Sequence, residues 1–171
     1  VSNSGYTNIY DLWFYYSNDV IPNNEFTDWT TAKYNNGPKP VSWQVVADAV
    51  NSEGTYKSGG EVKQDPTGVA YLYSRYPGIF GVGGIIPGFI TLGTVTGHLG
   101  VAGSSTFQIN GGIPFHNTPD VLSIRYKAPS ISDNNRIVYQ LTGTNGQQEL
   151  IHTDSKTIKD YTTLDLDLTS I

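Results

Sequence analysis

The residues in this chain whose types and spacing suit chemistry are aromatic. Across residues 69–75 the pattern alternates, so that Val69, Tyr71, Tyr73 and Arg75 share one face of a strand and Ala70, Leu72 and Ser74 the other. Phenol rings beside a guanidinium suit a sugar, whose apolar C–H face stacks on an aromatic ring while its hydroxyls bond to Asp, Asn, Gln and Arg. Alternation alone leaves open which of the two faces is buried. Trp13, Trp29 and Trp43 read first as core anchors, because Trp is highly buried on average. Trp43, which follows the turn-rich stretch 35–40, is the one assigned to the surface and grouped with Tyr71, Tyr73 and Arg75. His116, in a loop flanked by Pro114 and Pro119, completes the candidate set and either lines a pocket or makes a structural hydrogen bond.

Other chemistries fare worse. Glycoside hydrolysis needs two carboxyl groups about 5–10 Å apart, one with a raised pKa. Asp48, Glu53, Glu61 and Asp65 lie in loop-like sequence, and Asp48, Glu61 and Asp65 are the acid and base candidates of an enzymatic alternative, but nothing in their spacing makes them converge. Asp165 and Asp167 read as the solvated face of an edge strand, and Asp28, Asp133 and Asp154 as turn residues. His98, His116 and His152 have no ligand-spaced companion, which argues against zinc. With no cysteine there is no thiol nucleophile or thiolate metal site, and no Gly-x-Ser-x-Gly elbow supports a serine hydrolase. The glycines at 81, 83 and 84 lack the following Lys-Ser/Thr of a phosphate loop.

The elements that must position these residues are strands. Charged residues make up only 15% of the 171, against the usual quarter, while 19 Gly, 9 Pro and 12 Tyr supply turns and half-buried pleated surface. Strand patterns fall at 69–75, 89–96, 105–109, 121–127, 136–142, 147–153 and 163–168, after an aromatic opening around Tyr10, Trp13, Phe14, Tyr15 and Tyr16. In 121–127, Leu122, Ile124 and Tyr126 point inward. In 136–142, Ile137, Tyr139 and Leu141 do so, and in 163–168, Leu164, Leu166 and Leu168. An Asn-Gly corner at 145–146 joins two of these strands as a hairpin, and residues 41–50 allow a short helix. Eight or so short strands in a chain this long predict one all-β domain over 1–171, a two-sheet antiparallel sandwich of jelly-roll type, or a barrel.

Partners are narrowed by charge and hydropathy. Ten Lys and Arg against 15 Asp and Glu leave a net charge of −5, with no basic stripe for nucleic acid. The most apolar stretch, 79–95, is interrupted by five Gly and one Pro, so no segment reads as a membrane span.

Three segments resemble a known family, the carbohydrate-metabolism domain of secreted and surface proteins of the Bacteroidota. Ile21-Pro22-Asn23-Asn24-Glu25-Phe26-Thr27-Asp28-Trp29 is similar to its opening Pro-Asn-x-x-Phe-x-x-Trp element. Gly83-Gly84-Ile85-Ile86-Pro87-Gly88-Phe89-Ile90-Thr91-Leu92-Gly93 resembles the segment after its small-residue strand. Gly111-Gly112-Ile113-Pro114-Phe115-His116-Asn117-Thr118-Pro119, leading to Arg125-Tyr126-Lys127, resembles a third. Arg125 and Ala128 stand where the family pattern has aromatics. The resemblance implies a galactose-binding-like jelly roll whose closing strands extend beyond Ile171, an extracellular or cell-surface setting, and a role with glycans but no established reaction. It also implies that Ala70 and Leu72 face the core, which turns Tyr71 and Tyr73 outward. Modules of that type often hold a structural calcium near the first strand, for which Glu25 and Asp28 are the local oxygen donors; no other cofactor is expected. The resulting expectation is a non-catalytic carbohydrate-binding module, with a glycan-active enzyme or an adhesion domain docked on another cell-surface protein as alternatives.

Overall fold

A computed structural model of the chain describes residues 6–15, 19–34, 37–49, 61–74, 86–98, 106–114, 116, 119–130, 135–143, 146–154 and 156–169. The elements run in order β1 (Tyr6–Tyr15), β2 (Trp29–Thr31), β3 (Pro38–Pro40), α1 (Val46–Ala49), β4 (Val62–Gln64), β5 (Ala70–Tyr73), β6 (Thr94–His98), β7 (Thr106–Asn110), β8 (Val121–Ser130), β9 (Asn135–Gly143), β10 (Gly146–Asp154) and β11 (Ile158–Asp167). The fold is all-β and, among the described residues, every strand pair is antiparallel, as the sequence predicts. Five strands form the main sheet in the order β11-β8-β1-β5-β4, and the others pair as β9–β10, β2–β3 and β6–β7. Among the described residues no helix is long and apolar enough to cross a membrane.

One irregularity in β1 decides how the sheet is used. Ile9 pairs with Tyr126 and Asp11 with Arg125, so Tyr10 is an extra residue with no opposite number on β8. Such a bulge shifts the parity of a strand. Ile9, Leu12 and Phe14, which strict alternation would split between faces, therefore all pack against the same core of Ile21, Phe26, Trp43 and Ala70. The segment 21–28 then takes over the edge of β1 that β5 leaves. The Leu12 amide donates to the Asn24 carbonyl at 3.1 Å, and the Asn24 side chain donates to the Leu12 carbonyl at 2.9 Å.

The inner face of the sheet is covered by this segment, by β2, by α1 and by residues 86–92. Leu72 packs on Ala32, Val45, Ala47 and Val62, while Ile124, Tyr126, Ala128 and Leu166 form a third cluster under β8 and β11. The inward assignments of Ile124, Tyr126, Leu166 and Leu168 are thereby borne out. Ser123, which alternates with these inward residues, is nevertheless fully enclosed between its neighbours, and its hydroxyl donates to Asp165. Strand β6 begins at Thr94 rather than at residue 89. Before it, Gln44 and Thr91 exchange two backbone bonds in an isolated bridge, and Gly88 lies so close to β5 that a Cβ would sit 2.5 Å from the Tyr73 backbone. The hairpin over β9 and β10 forms as expected, with Gly146 opposite Gly143. It is tied to the sheet by Asp154, whose two oxygens accept from the buried Tyr126 hydroxyl at 2.9 Å each.

Candidate functional site

The opposite, outer face of the main sheet collects aromatic and charged side chains from all five strands. Register places Lys63 on β4 opposite Tyr71 on β5, Tyr71 opposite Asn8 on β1, and Asn8 opposite Lys127 on β8. Lys127 continues the row to Tyr161 on β11, its Nζ 4.6 Å from that ring's centroid. Beside the row, the bulge turns Tyr10 to the same side. The Tyr10 ring meets Tyr161 edge to face at 5.5 Å and carries the Arg125 guanidinium 3.8 Å from its centroid. At the other end, Tyr71 and Tyr73 are 5.5 Å apart, with Lys63 Nζ 5.1 and 4.9 Å from their centroids. Tyr10 and Tyr161 are 38% and 36% exposed, and Tyr71 and Tyr73 are half-buried.

Between the two aromatic groups lies a polar seam. Asn8 is only 3% exposed and donates to Asp65 Oδ2 at 3.2 Å. Asp65 is fixed by the turn from β4 to β5, where its Oδ1 accepts from the Thr67 amide and hydroxyl. Burial works against its charge, but the Thr67 hydroxyl and amide, the Val69 amide and nearby Lys127 together hold its carboxyl below the usual range. Burial likewise pushes the Tyr161 hydroxyl up, reinforced by Asp65 and Tyr10.

Next to Tyr10 the face opens into a cleft of about 410 Å³. It is lined by Tyr10, Asp11 and Arg125, by Glu25 and Thr27, and by Gln64, Thr67, Gly68 and Val69. Glu25 and Thr27 reach it because the segment that replaces β5 beside β1 sends Phe26 into the core and the residues flanking it outward. Arg125 Nη2 meets Asp11 Oδ2 at 3.1 Å. Asp11 Oδ1 and Arg125 Nε are shielded from water and have no hydrogen-bond partner among the described residues. Burial raises the Asp11 carboxyl above its ordinary pKa; Arg125 counteracts this and Glu25 adds to it.

The sequence-derived candidates fall in different places. Tyr71 and Tyr73 lie on the outer face, since Ala70 is fully buried and Leu72 packs inward. Arg75 lies outside the described residues, as do Glu53 and Asp133. Trp43 is a correction. It is 6% exposed, its indole nitrogen donates to the Pro22 carbonyl at 3.0 Å, and its ring leans on Phe26 at 5.5 Å. The cause is the turn after β3, where Ser42 takes a φ of 72° and folds the following residue under the sheet. His116 is exposed, and its amide and Nδ1 both engage Asp19 at 3.1 to 3.2 Å. Asp19 follows the Tyr15 end of β1, whereas Tyr73 pairs with Tyr6 at the other end, so His116 is not brought to the tyrosines.

Asp48 is occupied structurally. It accepts from the Lys39 ammonium at 2.9 Å and from the amides of Val45 and Lys33 at 3.0 Å, holding α1 against β3. Glu61 is buried at the start of β4. Glu25 lines the cleft, whereas Asp28 is tied through its backbone to Asn23; among the described residues no group of three or more His, Cys, Asp or Glu is placed to hold a metal.

Tyr10, Asp11, Arg125 and Tyr161 were not singled out as site residues from sequence, and Glu25 only as an oxygen donor for calcium. The available signal was the broken parity of Ile9, Leu12 and Phe14, which marks a bulge beside Tyr10. No family model matches the chain, and neither a curated protein nor a solved structure matches it.

Proposed function

We propose that the outer face of the main sheet binds carbohydrate without a covalent step, as a module of an extracellular or cell-surface protein. The observation that carries this reading is the set of partly exposed tyrosines, Tyr10, Tyr71, Tyr73 and Tyr161, spread over one sheet face with Asn8, Asp65 and three cations between them. Sugar rings need such a combination of flat apolar surface and fixed polar groups.

Lys63 lies over both Tyr71 and Tyr73, and its competition with a stacking sugar has to be weighed. An exposed cation–π contact contributes about 0.5–1 kcal/mol. That is small enough for a sugar to displace the flexible, exposed ammonium, which can then donate to the ligand's hydroxyls. An open platform with few anchors corresponds to dissociation constants of about micromolar to millimolar.

The test is calorimetric titration of soluble oligosaccharides and polysaccharides into the wild-type chain and a Tyr71→Ala/Tyr73→Ala pair. Binding is expected to fall by about tenfold or more in the pair. Sugar binding untouched by both substitutions removes the site.

A further inference from the structure

The tyrosine row offers surface, and the cleft beside Tyr10 offers fixed polar groups. A guanidinium and a carboxylate ordinarily pair through two parallel bonds. Here Arg125, its guanidinium 3.8 Å from the centre of the Tyr10 ring, reaches Asp11 through a single Nη2–Oδ2 contact of 3.1 Å. Asp11 Oδ1 and Arg125 Nε are left out of water with no hydrogen-bond partner among the described residues. Shielded groups without partners cost stability, so their retention in the lining of a cleft calls for an explanation beyond folding.

The donors and acceptors around them are of mixed kind. Asp11 and Glu25 accept, Arg125 donates, the Thr27 hydroxyl does both, and the Thr67 hydroxyl, whose proton goes to Asp65, accepts. Sugar hydroxyls are likewise donors and acceptors at once. The cleft, at about 410 Å³, sits near the lower end of the roughly 300–1,000 Å³ typical of small-molecule sites, room for about one or two sugar rings rather than a chain. Its charge is also informative. Two carboxylates line it against one guanidinium that Asp11 already engages, on a chain of net charge −5. A ligand carboxylate or sulfate placed there would face Glu25 and Asp11 with no unengaged cation among the lining residues.

Resting on the carbohydrate reading above, we propose that this cleft is the specificity subsite of the face. It takes a single neutral sugar residue, a chain end or branch, laid against Tyr10 with its hydroxyls shared among Asp11, Glu25 and Arg125, and it turns acidic sugars away.

The experiment is calorimetry on the full chain with glucose, galactose, mannose and xylose, set against glucuronate and galacturonate. At least one neutral sugar is expected to bind, with its uronate counterpart weaker by about tenfold or more. Glu25→Gln and Thr27→Val alter exposed side chains. Each is expected to weaken the neutral sugar by about three- to tenfold, and Glu25→Gln to narrow the gap to the uronate. Arg125→Gln is expected to lose about tenfold or more. Uronates that bind as tightly as neutral sugars overturn the proposal. So does neutral-sugar binding that falls in Tyr71→Ala/Tyr73→Ala but is unmoved by all three cleft substitutions, a result that leaves the tyrosine-face reading standing. Absence of binding by every sugar, monomeric or polymeric, overturns both.

Discussion

Two aromatic clusters lie on opposite faces of the same sheet and are built differently. Beneath it, Phe26, Trp29 and Trp43 close on one another, and both indoles donate to backbone carbonyls, Trp29 to Phe26 at 2.6 Å and Trp43 to Pro22 at 3.0 Å. Above it, Tyr10, Tyr71, Tyr73 and Tyr161 stay partly in water, each with a lysine or arginine over its ring. The lower cluster spends its polar atoms on the fold. The upper one leaves ring area and charged groups for something else. The same residue class thus serves stability on one side and recognition on the other, and substitutions should separate the two.

The largest effect belongs below. Phe26 is fully buried although its φ of 54° is one that a side chain seldom adopts, so its packing has to outweigh backbone strain. Phe26→Ala is expected to cost about 3–5 kcal/mol in denaturant unfolding, because alanine loses the packing yet keeps the Cβ that strains this φ. A loss under about 1 kcal/mol would mean that the lower cluster does not anchor the segment over β1.

Next comes the link from sheet to hairpin. Among the described residues, Tyr126→Phe leaves Asp154 with His152 at 3.1 Å as its one remaining partner, and it is expected to cost about 1–3 kcal/mol. Burial, with the Asp154 bond and charge, pushes the Tyr126 hydroxyl well above its ordinary value. The folded state therefore holds this proton more tightly than the unfolded chain. That stabilisation is complete below the unfolded pKa, near 10, and declines as pH rises above it. Stability measured from pH 8 to 12 should decline less steeply in Tyr126→Phe than in wild type; equal slopes would contradict the assignment.

A smaller effect marks the polar seam. Asp65 is held below its ordinary pKa, so its contribution is present above the unfolded value and lost as pH falls through the lower folded one. Asp65→Asn should remove part of the stability loss seen on acidification below about pH 4. An unchanged acid limb would release Asp65 from that role. The smallest effect on stability is expected above the sheet. Tyr71→Ala/Tyr73→Ala should shift unfolding by about 1–2 kcal/mol, well short of Phe26→Ala, because both rings keep part of their surface in water.

These faces were unequally legible in the sequence. Regular alternation in β8 and β11 identified Ile124, Tyr126, Leu166 and Leu168 as core, and Gly146 announced the hairpin, because each follows from local period or turn chemistry. Tyr71 and Tyr73 were legible as a pair, but their outward orientation needed more than period. Little of the cleft was legible. Broken parity at Ile9, Leu12 and Phe14 marks a bulge beside Tyr10, but the cleft's wall depends on Asn24 bonding to Leu12, residues far enough apart that no local pattern joins them. Trp43 was misplaced because the turn signals before it mark a change of direction but not the side the next residue takes, which Ser42 at positive φ sets.

The most direct measurement is an NMR titration of the isotope-labelled chain with the soluble saccharide that binds best in calorimetry. Recognition by the upper face requires ring-proton shifts at Tyr10, Tyr71, Tyr73 and Tyr161 that saturate together, with Trp29 and Trp43 unmoved. Shifts centred on His116 and Asp19, or a saccharide that binds while all four tyrosine rings stay silent, would contradict it.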